Sequence, residues 1–137
     1  MREILFRGKS KDNGNWIEGY YVCDESGQEM EQAAAYIYHL NQHPCGWSLI
    51  RYEVYPESVS EFTGLTDKNG TKIFEGDIVS ISGELQEIYT CVWEEYNFGY
   101  EFANKTMSFS LACVGSDDIE IIGNIHDNSE LLKGGEE

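Results

Sequence analysis

The chain has 137 residues, 41% of them hydrophobic, which is enough for one domain or two small lobes with a real core. Nine Lys and Arg against 25 Asp and Glu give a formal charge of −16, a field that repels nucleic-acid phosphates and anionic lipid head groups. Composition therefore excludes a disordered tail and argues against a general DNA or RNA clamp. The charge is uneven, because residues 1–75 carry 7 basic and 12 acidic side chains whereas residues 76–137 carry 2 and 13.

The compartment is predicted from the N-terminus and the cysteines. Only Ile4 to Phe6 form an apolar run near the start, so we expect no signal-peptide core, and no window is long enough for a membrane span. The cysteines have no Cys-x-x-Cys spacing, which favours reduced thiols: Cys23, Cys45, Cys91 and Cys113. We expect a cytoplasmic protein that does not bind a membrane.

The N-terminal half begins with a predicted β-hairpin. Ile4 to Arg7 and Trp16 to Val22 flank Asn13 and Gly14, a pair that accepts the positive φ angles of a type I′ turn. Gln28 to Ala35 contains good helix formers, so a short helix is one interpretation of that segment. Strands are then predicted on either side of a loop, in the order Tyr36–Leu40, loop Asn41–Gly46, and Trp47–Tyr55.

The C-terminal half begins with a second predicted hairpin, in which Asn69 and Gly70 form the turn between Thr63–Leu65 and Lys72–Phe74. Gly76 and Asp77 are predicted to bend the chain into the next strand. Alternating or aromatic-rich runs predict the further strands Ile78–Ile81, Ile88–Trp93, Gly99–Phe102, Ser108–Cys113 and Ile119–Ile125, and Ser129–Leu132 is predicted to make at most one helical turn. About five strands in hairpin order are enough for a small barrel, which would remove exposed edges.

Catalytic, metal and cofactor sites have little support in the sequence. His39, His43 and Cys45 have ligand-like spacing, but a closed zinc site needs a fourth ligand. The sequence has no nucleophile elbow and no glycine-rich phosphate loop. The densest acidic triplet, Asp117, Asp118 and Glu120, is typical of a solvated turn. We predict no catalytic residue, no metal and no cofactor.

Aromatic residues around one predicted hairpin are the weak candidate for a partner surface: Trp93, Tyr96, Phe98 and Tyr100. Glu94, Glu95 and Glu101 would supply an acidic rim. Such aromatics usually fill a small core, and binding to a partner is the alternative interpretation.

A family resemblance covers nearly the whole chain except Asp24–Tyr52 and Asn97–Ser116, and four segments carry it: Arg2–Gly8, Trp16–Tyr20, Thr63–Val79 and Ile119–Leu132. Together they resemble the YopX family of phage and prophage proteins, with Ser129 where the family usually has Pro. The resemblance implies an SH3-like barrel at residues 62–127, an N-terminal β-rich region at 1–61 packed beside it, and a short acidic tail at 128–137, in one compact unit. It implies no activity and no site residues.

The sequence leaves two functional hypotheses. The first is a non-enzymatic accessory protein that binds another protein, for example one of the bacterial host, with self-association as part of its assembly. The second is an acidic DNA mimic that inhibits a host DNA-binding protein. Neither hypothesis includes binding to nucleic acid, because only Lys105 and Lys133 are basic after residue 75.

Overall fold

The protein is mainly β-structure with almost no helix. The computed structural model describes residues 3–24, 34–82, 88–96, 98–104 and 107–133. The strands are β1 (Phe6–Lys9), β2 (Trp16–Asp24), β3 (Ala34–His43), β4 (Gly46–Val54), β5 (Ser60–Thr66), β6 (Lys72–Phe74), β7 (Asp77–Ile81), β8 (Ile88–Glu94), β9 (Gly99–Ala103), β10 (Ser108–Ser110) and β11 (Ile119–Asn124). The short helical segments are 3₁₀ turns at Pro56–Ser58, Leu111–Cys113 and Ser116–Asp118, and α1 (Glu130–Lys133). The chain divides into two compact units, residues 1–62 and 63–137.

The first unit is an antiparallel sheet in the order β4-β3-β2-β1, and the start of β5 pairs with β1. An isolated bridge between Ser10 and Val54 links the end of β1 to the end of β4. The sheet therefore curls over a small core of Ala35, Ile37 and Val54. Gly19 is required there, because a Cβ at this position would overlap the carbonyl oxygen of Tyr38.

The second unit holds a five-stranded antiparallel sheet in the order β10-β9-β8-β7-β11, and the end of β5 lies beside β6. Alternation along β8 directs Tyr89 and Cys91 into the core, as the sequence pattern predicts. The buried core residues are Ile73, Val79, Tyr89, Cys91, Phe102, Leu111 and Ile119. Among the described residues no pairing joins the edge strands β10 and β11, so the hydrogen-bonded sheet is open and the predicted removal of edges is not seen.

Several predicted boundaries are wrong in detail. The predicted loop at Asn41–Gly46 is mostly strand, because β3 and β4 continue to a turn at Pro44 and Cys45. The strand predicted at Ser108–Cys113 ends at Ser110 and continues as a 3₁₀ turn. Of the helix considered at Gln28–Ala35, the last two residues begin β3 and the others lie outside the described residues.

Both Asn-Gly turns are at the predicted places, but the type I′ assignment is wrong. A type I′ turn needs positive φ at both central residues, and only Gly14 (φ 75°) and Gly70 (φ 79°) have it, whereas Asn13 and Asn69 do not. In the second turn, the Asp67 carbonyl accepts the Gly70 N–H at 3.0 Å. Both loops are thus longer hairpin loops that end in a left-handed glycine.

No helix among the described residues is long and apolar enough to cross a membrane.

Candidate protein-binding surfaces

The predicted aromatic hairpin exists as β8 and β9, and the structure divides its four aromatic residues into two groups. Trp93 pairs with Tyr100 across the strands, with ring centroids 5.1 Å apart at 74°. This pair continues the face that buries Cys91 and Phe102, and of the two rings Tyr100 packs against the core, whereas Trp93 is 43% exposed.

The other two aromatic residues stand at the turn of this hairpin. Tyr96 is 92% exposed and Phe98 is 82% exposed, so neither fills the core. Phe98 also has a φ of 48°, the left-handed region that residues other than glycine rarely adopt. A backbone conformation of that kind costs of the order of 1–3 kcal/mol and is found most often at functional sites. We name Tyr96 and Phe98 the hairpin tip.

The three glutamates of the predicted acidic rim lie within the same hairpin. Glu95 is exposed, and Glu94 accepts the backbone N–H of Tyr96 at 3.2 Å. Glu101 pairs with Val92 on the face opposite Trp93. Two exposed rings with acidic neighbours can bind an apolar pocket that has a basic rim.

A second exposed surface, which the sequence analysis missed, lies on strands β2, β3 and β4. Tyr20 pairs with Tyr38, and Leu40 pairs with Leu49, so their side chains share one face of the sheet. Trp47 and Leu49 are 63% and 58% exposed. We call this surface the outer face, and its members are Tyr20, Val22, Tyr36, Tyr38, Leu40, Trp47, Leu49 and Arg51.

Cations accompany the aromatics of the first unit. The Arg51 guanidinium lies over the Tyr36 ring at 4.6 Å, and that of Arg7 lies over Trp16 at 4.7 Å. The sequence signal for the outer face was the alternation of side chains along Tyr36–Leu40 and along Trp47–Arg51. This signal did not show which residues of the two strands lie opposite each other, because the predicted loop at Asn41–Gly46 left the register between them undetermined.

The most specific sequence motif, Thr63 to Val79, contains a buried aspartate that stabilises a turn. The Asp67 carboxylate, 4% exposed, accepts backbone N–H groups of Asn69 and Thr71 at 2.9 Å and of Ile121 at 3.2 Å. Burial raises the pKa of this carboxyl, but the three hydrogen bonds outweigh burial and hold the pKa below its ordinary value. The Asp67 carboxylate thereby fixes the turn against β11.

The bend at Gly76 and Asp77 is also structural and lies where it was predicted. Gly76 has a φ of 88°, and its N–H donates to the Cys91 carbonyl at 2.8 Å. The buried Asp77 carboxylate accepts the Phe74 N–H at 2.7 Å, across the turn between β6 and β7. These contacts fix the bend after which β7 enters the core.

The ligand-like spacing of His39, His43 and Cys45 does not produce a metal site. On a strand, four residues span about 13 Å, so the spacing that joins two side chains on a helix separates them here. His39 contacts the Glu18 carbonyl at 2.8 Å, and His43 contacts the Ser48 hydroxyl at 2.6 Å. Within the described residues, no three His, Cys, Asp or Glu side chains could hold a metal ion.

The remaining candidates have structural explanations. Asp118 accepts a hydrogen bond from the Ser82 hydroxyl at 3.2 Å, and Glu120 forms an ion pair with Lys68 at 3.2 Å.

The four cysteines form no disulfide, and of them only Cys91 is buried. An open cleft of about 400 Å³ in the first unit is lined by Arg7, Trp16, Ile17, Glu18, His39, Asn41 and Tyr52.

Comparisons with known proteins agree with the fold and identify no activity. The family model described as YopX protein matches residues 5–133. The crystal structure of protein EF1440 from Enterococcus faecalis has 22% sequence identity and a TM-score of 0.57, and the match covers 96% of this chain and 99% of that one. At this identity the likeness concerns the fold alone. No curated protein matches the chain.

Proposed function

This chain belongs to the YopX family, and we propose that it is a protein-binding module without catalytic activity, acting in the bacterial cytoplasm. The observation that carries the proposal is the exposure of Tyr96 and Phe98, 92% and 82%, at one turn. Rings this exposed bury little area in the core of the second unit. Tyr and Trp are enriched among the residues that dominate binding energy at protein interfaces.

The strained backbone supports the same proposal. A φ of 48° at Phe98 costs stability that glycine would avoid. The residue type is explained if the phenyl ring makes a contact that glycine cannot make. The partner we infer is a protein with an apolar pocket and a basic rim, since Glu94 and Glu95 directly precede Tyr96 and the Glu94 carboxylate accepts its backbone N–H.

We infer that the sheet of the second unit is an SH3-like barrel in its connectivity. Strands β7 to β10 form a meander, and β11 returns to pair with β7 after two 3₁₀ turns. In this order the hairpin tip lies at the connection between the neighbouring strands β8 and β9. Folds of this class serve unrelated functions, so the hairpin tip, and not the fold, supports the proposal.

The experiment has two stages. A photo-reactive phenylalanine at position 96 captures a partner from a bacterial lysate, and the same group at the exposed Tyr55 serves as the control position. The captured protein is then purified, and its affinity is measured for the wild type, for Tyr96→Ser with Phe98→Ser, and for Tyr55→Ser. We expect the double variant to weaken binding by at least about 30-fold, the effect of losing one strong anchor residue. Unchanged affinity of the double variant would refute the proposal.

The acidic mimic is the competing outcome of the same measurement. A mimic would capture a DNA-binding protein, and duplex DNA would compete for it. Its binding would fall steeply on Glu94→Gln with Glu95→Gln and would tolerate the two serine substitutions, because carboxylates would replace phosphates in the contact.

A further inference from the structure

Strand β4 ends the sheet of the first unit and presents an edge. Its register with β3 is continuous from Gly46 to Val54, so the backbone groups alternate regularly between the two sides. The Glu53 carbonyl accepts the Lys11 N–H at 3.0 Å, and the Tyr55 N–H donates to the Lys9 carbonyl at 2.9 Å. Odd-numbered residues of β4 therefore turn their backbone groups away from β3.

The open part of this edge consists of Trp47, Leu49 and Arg51. Within the described parts of the chain, no backbone hydrogen bond from outside the sheet reaches these three residues. Their side chains lie on the outer face, and Trp47 and Leu49 are mostly exposed. An edge strand with exposed apolar side chains is a template for pairing with another strand.

The edge is self-complementary in one antiparallel register. When Leu49 lies opposite Leu49 of a second copy, Trp47 lies opposite Arg51 of that copy. By the twofold symmetry, Arg51 then lies opposite Trp47 of the second copy. Directly opposed residues that exchange both hydrogen bonds have Cα atoms about 5.5 Å apart. The Arg51 guanidinium, already over Tyr36, would then lie beside an indole as well, an attractive cation–π geometry.

The length of the edge selects this register. At one end of the edge, the backbone carbonyl of Glu53 already accepts the N–H of Lys11. At the other end, β4 begins at Gly46, directly after the turn. Pairing about Leu49 uses all three open residues of each copy. A register displaced by two residues places Trp47 opposite Glu53, whose outward carbonyl is already bonded, or Arg51 opposite Cys45.

We propose that the occupant of the β4 edge is a second copy of this chain, paired antiparallel about Leu49 to form a continuous sheet across a twofold axis. The inference is independent of the proposed function, because it uses residues of the first unit, whereas the hairpin tip belongs to the second. Each copy carries a charge of −16, and salt screens this mutual repulsion. The dimer should therefore tighten as ionic strength rises from about 0.01 to about 1 M, over which the Debye length falls from about 30 to about 3 Å.

The test compares charge substitutions at the edge and on the outer face by sedimentation equilibrium at micromolar protein. Leu49→Lys places like charges opposite each other on the axis, and we expect loss of the dimer. Leu40→Lys puts the same charge on β3, in the interior of the same face, and is expected to remain dimeric. Mixing the Leu49→Lys chain with a Leu49→Glu chain should restore a heterodimer, which a misfolded variant could not form.

A disulfide tests the register. Leu49→Cys should be oxidised to an intermolecular 49–49 disulfide, since Cα atoms about 5.5 Å apart are within disulfide reach. Leu40→Cys should not form an intermolecular disulfide. Peptide mapping distinguishes disulfides of the introduced cysteines from disulfides of the native ones. A wild type that is monomeric at high salt, or a dimer that survives Leu49→Lys, overturns the inference. Loss of the dimer in both lysine variants, or the absence of the heterodimer, also overturns it. Tyr96→Ser with Phe98→Ser should leave dimerisation unchanged, so the two proposals can fail separately.

Discussion

Asp67→Asn tests the conclusion that the central motif is structural. The asparagine retains one oxygen for Asn69 and Thr71, but its amide nitrogen faces the N–H of Ile121, which then has no acceptor. One hydrogen bond to a charged acceptor contributes about 1.5–3 kcal/mol, and the two retained bonds weaken because the acceptor becomes neutral. We expect a loss of about 2–4 kcal/mol in the free energy of unfolding of the second unit, or about 10–25 °C in Tm.

The loss should depend on pH. The folded-state pKa of Asp67 is lowered, so its contribution is complete above the unfolded pKa of about 3.9 and is lost as pH falls through the folded pKa. The difference between wild type and Asp67→Asn should therefore be largest above about pH 5 and should shrink below about pH 4.

Urea titration followed by tryptophan fluorescence measures this effect. Trp93 is the only tryptophan of residues 63–137, so a Trp16→Phe, Trp47→Phe background makes the signal specific for that unit. The matched control is Asp117→Asn, an exposed aspartate of the same unit, which should change stability by less than about 0.5 kcal/mol. Equal midpoints for the two variants, or a difference constant from pH 3 to 7, would refute the reasoning.

Four further predictions concern backbone, redox state and partners. Gly70→Val should destabilise the second unit by about 2 kcal/mol, because a β-branched residue resists a φ of 79°; an unchanged urea midpoint would contradict the turn. Gly19→Ala should cost more than about 2 kcal/mol in the first unit, since its Cβ would overlap backbone, whereas Gly115→Ala, whose nearest atom is 3.9 Å away, should stay within about 1 kcal/mol; thermal denaturation of both checks the ranking. Thiol titration in denaturant without reductant should count all four cysteines, and a Tm lowered by reductant would show a disulfide. Mobility-shift assays with duplex DNA and single-stranded RNA at physiological salt should show no complex, because Lys11 is paired with Glu53 at 3.0 Å and the net charge is −16; salt-sensitive binding lost on Arg7→Ala with Lys9→Ala would contradict it.

The sequence alone located turns and strands of this protein, because both depend on neighbouring residues. Asn-Gly pairs located two turns, and alternation in Ile88–Trp93 placed Tyr89 and Cys91 on one side of a strand, because strand periodicity is a property of neighbouring residues. The anchoring of the second turn depended on a more distant group. The Asp67 carboxylate binds Asn69 and Thr71 within the turn and also accepts the N–H of Ile121, and no local pattern indicates a contact 54 residues away.

The surfaces were decided by tertiary structure. Trp93, Tyr96, Phe98 and Tyr100 have the same aromatic character in the sequence, and only the tertiary structure distinguishes the Trp93–Tyr100 ring pair from the far more exposed hairpin tip. The outer face needed the register of β3 with β4, since a shift of one residue would have turned Trp47 and Leu49 inward. Residue type and spacing thus specified strands and turns, whereas pairing register and burial, which are set by contacts distant in sequence, decided which aromatic side chains remain available for a partner.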